Sequence, residues 1–429
     1  MKLLFKNAKI LKMDDTPIFD GAIVTQDDKI LYIGQDYEKF GPFNATHDCH
    51  GNVLMPTFKN AHSHNAMTFL SSKTDDLALQ DWLFNAVFPS EKLLQPDDVY
   101  YLSKVAYLEM LTSGIGACFD QYYFPLSTAK AATEIHFKTV ILGTYNNLYG
   151  YEELKKLYKE FNYDQKDSVV RYCFGIHAEY TSSEEELNII SRLVHELKAP
   201  FYTHLCETEK EVKECYERHG MSPVQYLDSK GLFDYGGGGY HCIYMSDEDI
   251  EIFKKHNLTV VTCPGSNTKL ASGIAPLYKY KEAGLNIAIG TDGPASNNCL
   301  DFFKEMTLVT GLQKLLLKDP TAFPAYEVLK MATVNGARAM GLDDSDILEV
   351  GKKADFIEID LDRPNMQPLN NIVNNIVYSG SKENVKTVVI DGIVLYSNRE
   401  FQLGLDIDEI YKKCQEVTDR IDREVAKQD

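Results

Sequence analysis

A chain of 429 residues with 44% hydrophobic and 25% charged residues has the composition of a soluble globular protein and is too long for one ordinary domain. Its 63 Asp+Glu against 44 Lys+Arg leave a formal charge of −19, which argues against nucleic acid or an anionic membrane as partner. No apolar run reaches the roughly 18 residues of a membrane span, and MKLLFKNAKI has too short an apolar patch for a signal peptide, so a cytoplasmic protein is expected.

Residues 1–55 alternate apolar and polar positions in short runs (LLFKNAKIL, GAIVTQ, KILYIG, NVLMP), the pattern of β-strands. Residues 350–398 repeat it in ADFIEIDL, NIVYS and VKTVVIDGIVLYS. Neither block is long enough to form a convincing sandwich alone. The two ends are therefore expected to pair into one small β-sandwich domain. Between them, GACFD, KTVILGT, YCFGIHA, PFYTHL, YHCIYM, TVVTC and NIAIGTD are strand candidates. Helical patterns alternate with them, at 96–113, 183–198 (with a Ser-x-x-Glu start) and 301–317. With the strand before His62 this makes eight β-then-α units, hence a parallel (β/α)8 TIM-type barrel. The expected division is 1–55 and 346–429 for the β-domain and its final helix, with the barrel at 56–345. Four glycines, 236–239, read as a permissive loop before a strand. The segment 406–428 carries an apolar stripe of one helix. Packing on the body of the protein is its expected use, and a contact within a homo-oligomer the alternative.

The stretch MPTFKNAHSHNAMT places His62 and His64 two residues apart, so on a strand both imidazoles face one point. THLCE, YHC and GTDGPASNN then put His204, His241 and Asp292 at or near the ends of the fifth, sixth and eighth strands. In a barrel of this type those ends converge on the active site. Three imidazoles and a carboxylate suit one divalent metal ion per chain, Zn2+ first and Fe2+ as the alternative, with a position left for water. Glu207 follows His204 where the chain leaves the strand and can carry a proton over the metal, while His241 would hold or polarise the nucleophile. The fourth strand ends in FGIHAEY, without the lysine that a bridged metal pair needs, so a mononuclear site is expected. The nine cysteines are scattered and include no C-x-x-C pair, as expected for reduced thiols. Cys206, beside His204, reads as a packed thiol, with a soft extra ligand as the alternative.

These and further blocks (DWLFNAVFPSE, GIHAEYTSSEE, SNTKLASGIAPL, NGARAMGLDD, EVGKKADFIEID) resemble the amidohydrolase superfamily over nearly the whole chain. Within it they are most similar to the 5'-methylthioadenosine/S-adenosylhomocysteine deaminases. The resemblance implies His62, His64, His204 and Asp292 as metal ligands, Glu207 as the carboxylate that protonates the purine ring, and His241 beside the attacking hydroxide. It further implies Glu91 as acceptor for the ribose hydroxyls, Trp82 as a pocket wall and His177 as a substrate contact. The expected reaction is hydrolytic deamination of an adenosine-type nucleoside, with Asp292 taking the water's remaining proton and ammonia leaving.

Two departures bear on the substrate. Ser71, Ser72 and Lys73 replace a usual Arg-Gly, and GTYNNLYGYEE lacks arginines that would hold the carboxylate of S-adenosylhomocysteine. This favours 5'-methylthioadenosine, 5'-deoxyadenosine or adenosine. The alternative reading is a hydrolase of another ring (guanine, another base, a triazine or a pterin) on the same scaffold.

Overall fold

The computed structural model describes residues 1–73, 75–146, 148–165 and 168–427. From the N-terminus come β1 (Lys2–Ile10), β2 (Phe19–Gln26), β3 (Lys29–Gly34), β4 (Ala45–Asp48) and β5 (Val53–Pro56). Next are β6 (Phe58–Ser63), β7 (Ile115–Asp120), β8 (Lys138–Gly143), β9 (Val170–Gly175), β10 (Phe201–Leu205), β11 (Gly237–His241), β12 (Thr259–Thr262) and β13 (Asn286–Ile289). The last are β14 (Phe356–Ile359), β15 (Val385–Ile390), β16 (Ile393–Ser397) and β17 (Glu400–Phe401).

β6 to β13 form one sheet in chain order, each strand parallel to the next. Its two edges meet where the N–H groups of Thr291 and Asp292 donate to His62 O at 3.1 Å. Asn60 brackets the same joint, donating to Thr291 Oγ1 at 2.7 Å and accepting from Thr291 N at 2.9 Å. Gly290 permits it, because a Cβ there would lie 2.7 Å from His62 Cβ and 2.9 Å from His62 N. The eight-stranded parallel barrel expected from the alternation is therefore present, with its helices outside.

Those helices start where their caps say. Helix Glu184–Leu197 opens with Ser183 Oγ accepting from Glu186 N at 3.1 Å, and helix Phe302–Leu317 with Asp301 Oδ1 accepting from Phe303 N at 3.0 Å. Helix Pro96–Thr112 has proline at its first position, where a missing N–H costs nothing.

The other strands make a single mixed sheet in the order β17-β16-β15-β14-β5-β1-β2-β3, with β4 also on β1. The chain ends meet where β14 lies antiparallel to β5, Phe356 opposite Pro56 and Ile359 opposite Val53. Phe5, Ile10, Ile23, Leu54, Phe356 and Val389, from both ends, share one buried cluster. Each such side chain withdrawn from water contributes about 1.5–3 kcal/mol, which neither end could gain alone.

Two local expectations are corrected. Gly237, Gly238 and Gly239 belong to β11 rather than to a loop. A Cβ on Gly237 would stand 1.9 Å from Phe201 O and one on Gly238 2.2 Å from Thr259 O, so the strand fits between its neighbours only without side chains there. The run NIVYS is helical, not extended: Ile372–Asn374 continues into Asn375–Ser379. Asn371 caps this helix by accepting from Asn374 N at 3.0 Å, and Ile376 and Val377 are buried in the main core.

The last helix, Ile407–Val425, lies on the body as its stripe predicts, with Val417 and Ile421 buried against Phe69, Leu70 and Trp82. Gln428, the end of the predicted segment, falls outside the described residues. Arg420 ties this helix down, pairing with Asp98 and donating to Leu93 O at 3.1 Å. Among the described residues no helix is long and apolar enough to cross a membrane.

Candidate active site

The C-terminal ends of the strands bring together residues far apart in the chain. His62 lies on β6 and His64 just beyond it, His204 on β10, His241 at the end of β11 and Asp292 just after β13. His204 Nε2 is 3.2 Å from the Nε2 atoms of both His62 and His64, while Asp292 Oδ1 is 3.3 Å from His62 Nε2 and 3.2 Å from His64 Nε2. Ligand atoms of His62, His204, His241 and Asp292 also all lie within 4.8 Å of one another.

The hydrogen bonds behind these atoms decide what the cluster can hold. His64 Nδ1 donates to Gln121 O and His204 Nδ1 to His177 O, each at 2.7 Å, because a carbonyl can only accept. His241 Nδ1 meets Asn267 Oδ1 at 2.7 Å, which makes its Nδ1 the donor. With Nδ1 donating outward, the Nε2 atoms of His64, His204 and His241 point inward, and His241 Nε2 is buried without a hydrogen-bond partner among the described residues. Ser266 Oγ and Ser296 Oγ donate to Asp292 Oδ2 at 2.6 and 2.7 Å, leaving Oδ1 for the histidines. Four potential ligand atoms, three Nε2 and Asp292 Oδ1, thus crowd together at 3.2–3.3 Å, an arrangement that a cation among them would satisfy. The spacing fits such an ion, since a tetrahedron with arms of about 2.0–2.1 Å has edges of roughly 3.3–3.4 Å. His62, His64, His204 and Asp292 could hold it, with His241 alongside.

The electrostatics differ from ring to ring. Burial drives His62 down to about 3 and His204 well below the usual imidazole range, so both stay neutral. Burial pulls on His64 too, but Asp292 more than offsets it and His64 is raised. Asp292 remains well below the usual carboxylate range despite burial, held there by His62 and His64.

Glu207 reaches the cluster from the turn after β10. Its Oε2 is 3.8 Å from His241 Nε2, and its Oε1 accepts from Ser272 Oγ at 3.3 Å. Burial raises its carboxyl pKa, against the pull of His241, which suits a group that must hold a proton. Cys206 is completely buried in the apolar core and its thiol is pushed well up by burial, so it packs as a protonated thiol.

Beside His64 opens a cavity of about 590 Å³, lined among others by Glu91, Gln121, His177, Phe88 and Tyr180. That is the size range of small-molecule sites. Glu91 is 7% exposed, and its Oε1 has no hydrogen-bond partner among the described residues. Burial pushes its carboxyl up to about 7. His177 is driven down to about 4 by burial, and its Nδ1 meets Thr181 Oγ1 at 2.9 Å. Trp82 packs with Leu70, Leu83 and Ile421 in an apolar cluster and is not among the residues lining the cavity, whose near wall carries Phe84 and Phe88.

Residue patterns did not single out Gln121, Ser266, Asn267, Ser272 or Ser296, which orient the groups above. Ser266, Asn267 and Ser272 lie in SNTKLAS and Ser296 in GPASNN, but only the barrel shows which side chains they meet.

The sequence profile of the amidohydrolase family matches residues 53–395, most of the chain and all of the barrel. This chain belongs to the amidohydrolase family. Among relatives of this amidohydrolase, the 5-methylthioadenosine/S-adenosylhomocysteine deaminase of Thermoanaerobacter pseudethanolicus is 37% identical, over 96% of this chain and 97% of the relative. The 5'-deoxyadenosine deaminase of Methanosarcina acetivorans is 38% identical, over 92% and 93%. A crystal structure of an adenosine deaminase from Xanthomonas campestris with bound zinc superposes with a TM-score of 0.91 at 28% identity, covering 98% of each chain.

Proposed function

We propose that this amidohydrolase converts an adenosine-type nucleoside and water into the inosine analogue and ammonia, as a cytoplasmic enzyme with one divalent ion, zinc, held by His62, His64, His204 and Asp292. The observation that carries this reading is a pairing within one site. His64, a member of the imidazole cluster that Glu207 approaches, lines a cavity whose wall also presents a second buried carboxyl, Glu91, with its Oε1 lacking a hydrogen-bond partner among the described residues. The names of the two relatives above point the same way.

When bound, the ion supplies a hydroxide equivalent near neutral pH. The chain's own groups do the rest. Glu207, whose carboxyl pKa is raised by burial, delivers a proton to the ring nitrogen next to C6 and so makes C6 electrophilic. Water adds there; one of its protons restores Glu207, and Asp292, whose carboxylate is held ionised, takes the other and passes it to the departing amine. The C6–N bond breaks, ammonia leaves and a C6 carbonyl remains. His241, fixed through Nδ1 by Asn267, directs its Nε2 at the attacking oxygen. Positioned proton transfer of this kind contributes roughly 10²- to 10⁴-fold.

Glu91 accepts from the ribose hydroxyls, which is why a nucleoside rather than a free base is the substrate. Among the described residues Lys92 lines the cavity but no arginine does, so it holds no guanidinium fork for an amino-acid carboxylate, favouring 5'-methylthioadenosine, 5'-deoxyadenosine and adenosine over S-adenosylhomocysteine. Ammonia release by the zinc-loaded enzyme on those four nucleosides, adenine, guanine and cytosine tests the reading. Turnover confined to the nucleosides is expected; turnover of a free base alone would overturn it.

A further inference from the structure

Glu211 is a carboxylate that the reaction does not use, yet it is 1% exposed and three residues into a helix, Glu209–His219, that begins beside the site. The helix is capped in the ordinary way, with Thr208 Oγ1 accepting from Glu211 N at 3.1 Å. In a capping box the glutamate at this position would turn back to the N–H of the cap residue. Glu211 reaches further. Its Oε1 accepts from Cys206 N and its Oε2 from Glu207 N, both at 2.8 Å. One carboxylate thus bridges the two successive N–H groups of the turn that carries Glu207 into the site.

That turn needs a clamp. Cys206 has a φ of 50°, a left-handed conformation that a residue with a Cβ adopts at a cost. Its carbonyl is held from the other side, accepting from Ile243 N at 3.0 Å and Tyr244 N at 2.9 Å, so the peptide is fixed at both faces. Burial pushes the Glu211 carboxyl up to about 7 while the N–H groups it bridges pull it back, and in its ionised form, seated on consecutive N–H groups, it favours this bent backbone over the extended one that would continue β10. Burying a carboxylate is expensive, and the expense has no return in core packing.

We propose that Glu211 is a positioning residue for catalysis: by bridging Cys206 N and Glu207 N it holds the left-handed turn that aims the Glu207 carboxyl at the substrate ring. The inference rests on Glu207 being the proton carrier of the proposed deamination. A neutral glutamine at 211 can accept from one N–H but would set its own NH2 against the other. An aspartate keeps the anion but falls short by one methylene.

The test uses the zinc-loaded full-length enzyme with the best nucleoside of the panel above. We expect kcat to fall about 10- to 100-fold in Glu211→Gln and less in Glu211→Asp, with KM within about twofold and zinc content unchanged. Thr208→Ala removes the cap and leaves the carboxylate bridge, and is expected to lower the melting temperature while kcat stays within about twofold. Glu211→Gln with wild-type kcat would overturn the proposal. So would equal kcat losses in all three variants in step with melting temperature, or a KM rise that matches the fall in kcat, since each marks a purely structural role. Should Glu211→Gln not fold, Glu211→Asp against Thr208→Ala decides, the proposal requiring the lower kcat in the former. Glu207→Gln separates the underlying reading: if it retains full turnover, the role of Glu207 fails independently of any effect at 211.

Discussion

Of the histidine–carboxylate clusters among the described residues, two behave oppositely. In the small sheet, His47, Cys49 and Glu358 place potential ligand atoms within 4.8 Å of one another, as His62, His204, His241 and Asp292 do in the barrel. Around Glu358, however, every lone pair is answered by a donor. Asn52 Nδ2 and Thr387 Oγ1 donate at 2.8 Å, His47 Nε2 lies at 2.7 Å and Lys386 Nζ at 3.5 Å. Cys49 remains a protonated thiol, pushed up by burial and by Glu358 itself. In the barrel His64, His204 and His241 spend their Nδ1 donors on the outside of the rings, His62 Nδ1 has no hydrogen-bond partner among the described residues, and the Nε2 atoms converge on Asp292 Oδ1. The same residue types make a closed hydrogen-bond knot in one place and an open cation socket in the other; satisfaction of donors, not composition, separates them.

That contrast can be broken by experiment, and the largest effect should come from the socket itself. His204→Ala removes the ring common to the two shortest imidazole contacts, and we expect metal content near zero by elemental analysis and turnover down by more than about 10⁴-fold. Glu207→Gln should retain the ion but lose about 10²- to 10⁴-fold in kcat, dividing binding of the metal from handling of the proton. If metal and turnover vanish together there as well, Glu207 belongs to the socket and the division is wrong.

Glu91→Ala comes next, with KM for the nucleoside expected to rise about 10- to 100-fold for the loss of bonds to a charged acceptor. Its pH dependence has a definite sign. The carboxyl titrates near 7 instead of its ordinary 4.5, so folded protein holds that proton between the two values and the group's contribution to stability falls as pH rises through that window. If Glu91 binds the ribose as proposed, binding should run the other way, because only the ionised carboxylate is a full acceptor. KM should fall as pH rises through about 7, and Glu91→Gln should flatten that trend. The smallest effect belongs to the knot. Glu358→Gln leaves Asn52 or Thr387 facing an amide, for about 1–3 kcal/mol of stability by denaturant unfolding, with metal content and kcat unchanged.

Much of this was legible in the chain because it depends on period and position. Alternating β and α patterns gave the eight-stranded barrel, and the two-residue spacing of His62 and His64 put both at one strand end. What was not legible depends on contacts between distant segments. The glycines of β11 read as a loop because nothing local says that Phe201 O and Thr259 O press on the strand from either side. NIVYS read as a strand because its β-branched residues favour one, while the Asn371 cap and the burial of Ile376 and Val377 decide for a helix. Glu211 sits in plain view as part of a capping motif, and only its two N–H partners reveal where its oxygens go.

The pairing of β5 with β14 has a consequence during synthesis. β5 runs directly into β6 and so into His62 and His64, yet its partner on that edge begins only at Phe356, 300 residues after Pro56. At ribosomal rates of about 5–20 residues per second, that edge waits roughly 15–60 s for its neighbour. Throughout this interval the first half of the socket is anchored on one side alone, and an exposed apolar strand is open to other nascent chains. Slowing elongation between β13 and β14 should therefore lower the yield of soluble enzyme more than an equal delay placed after β17.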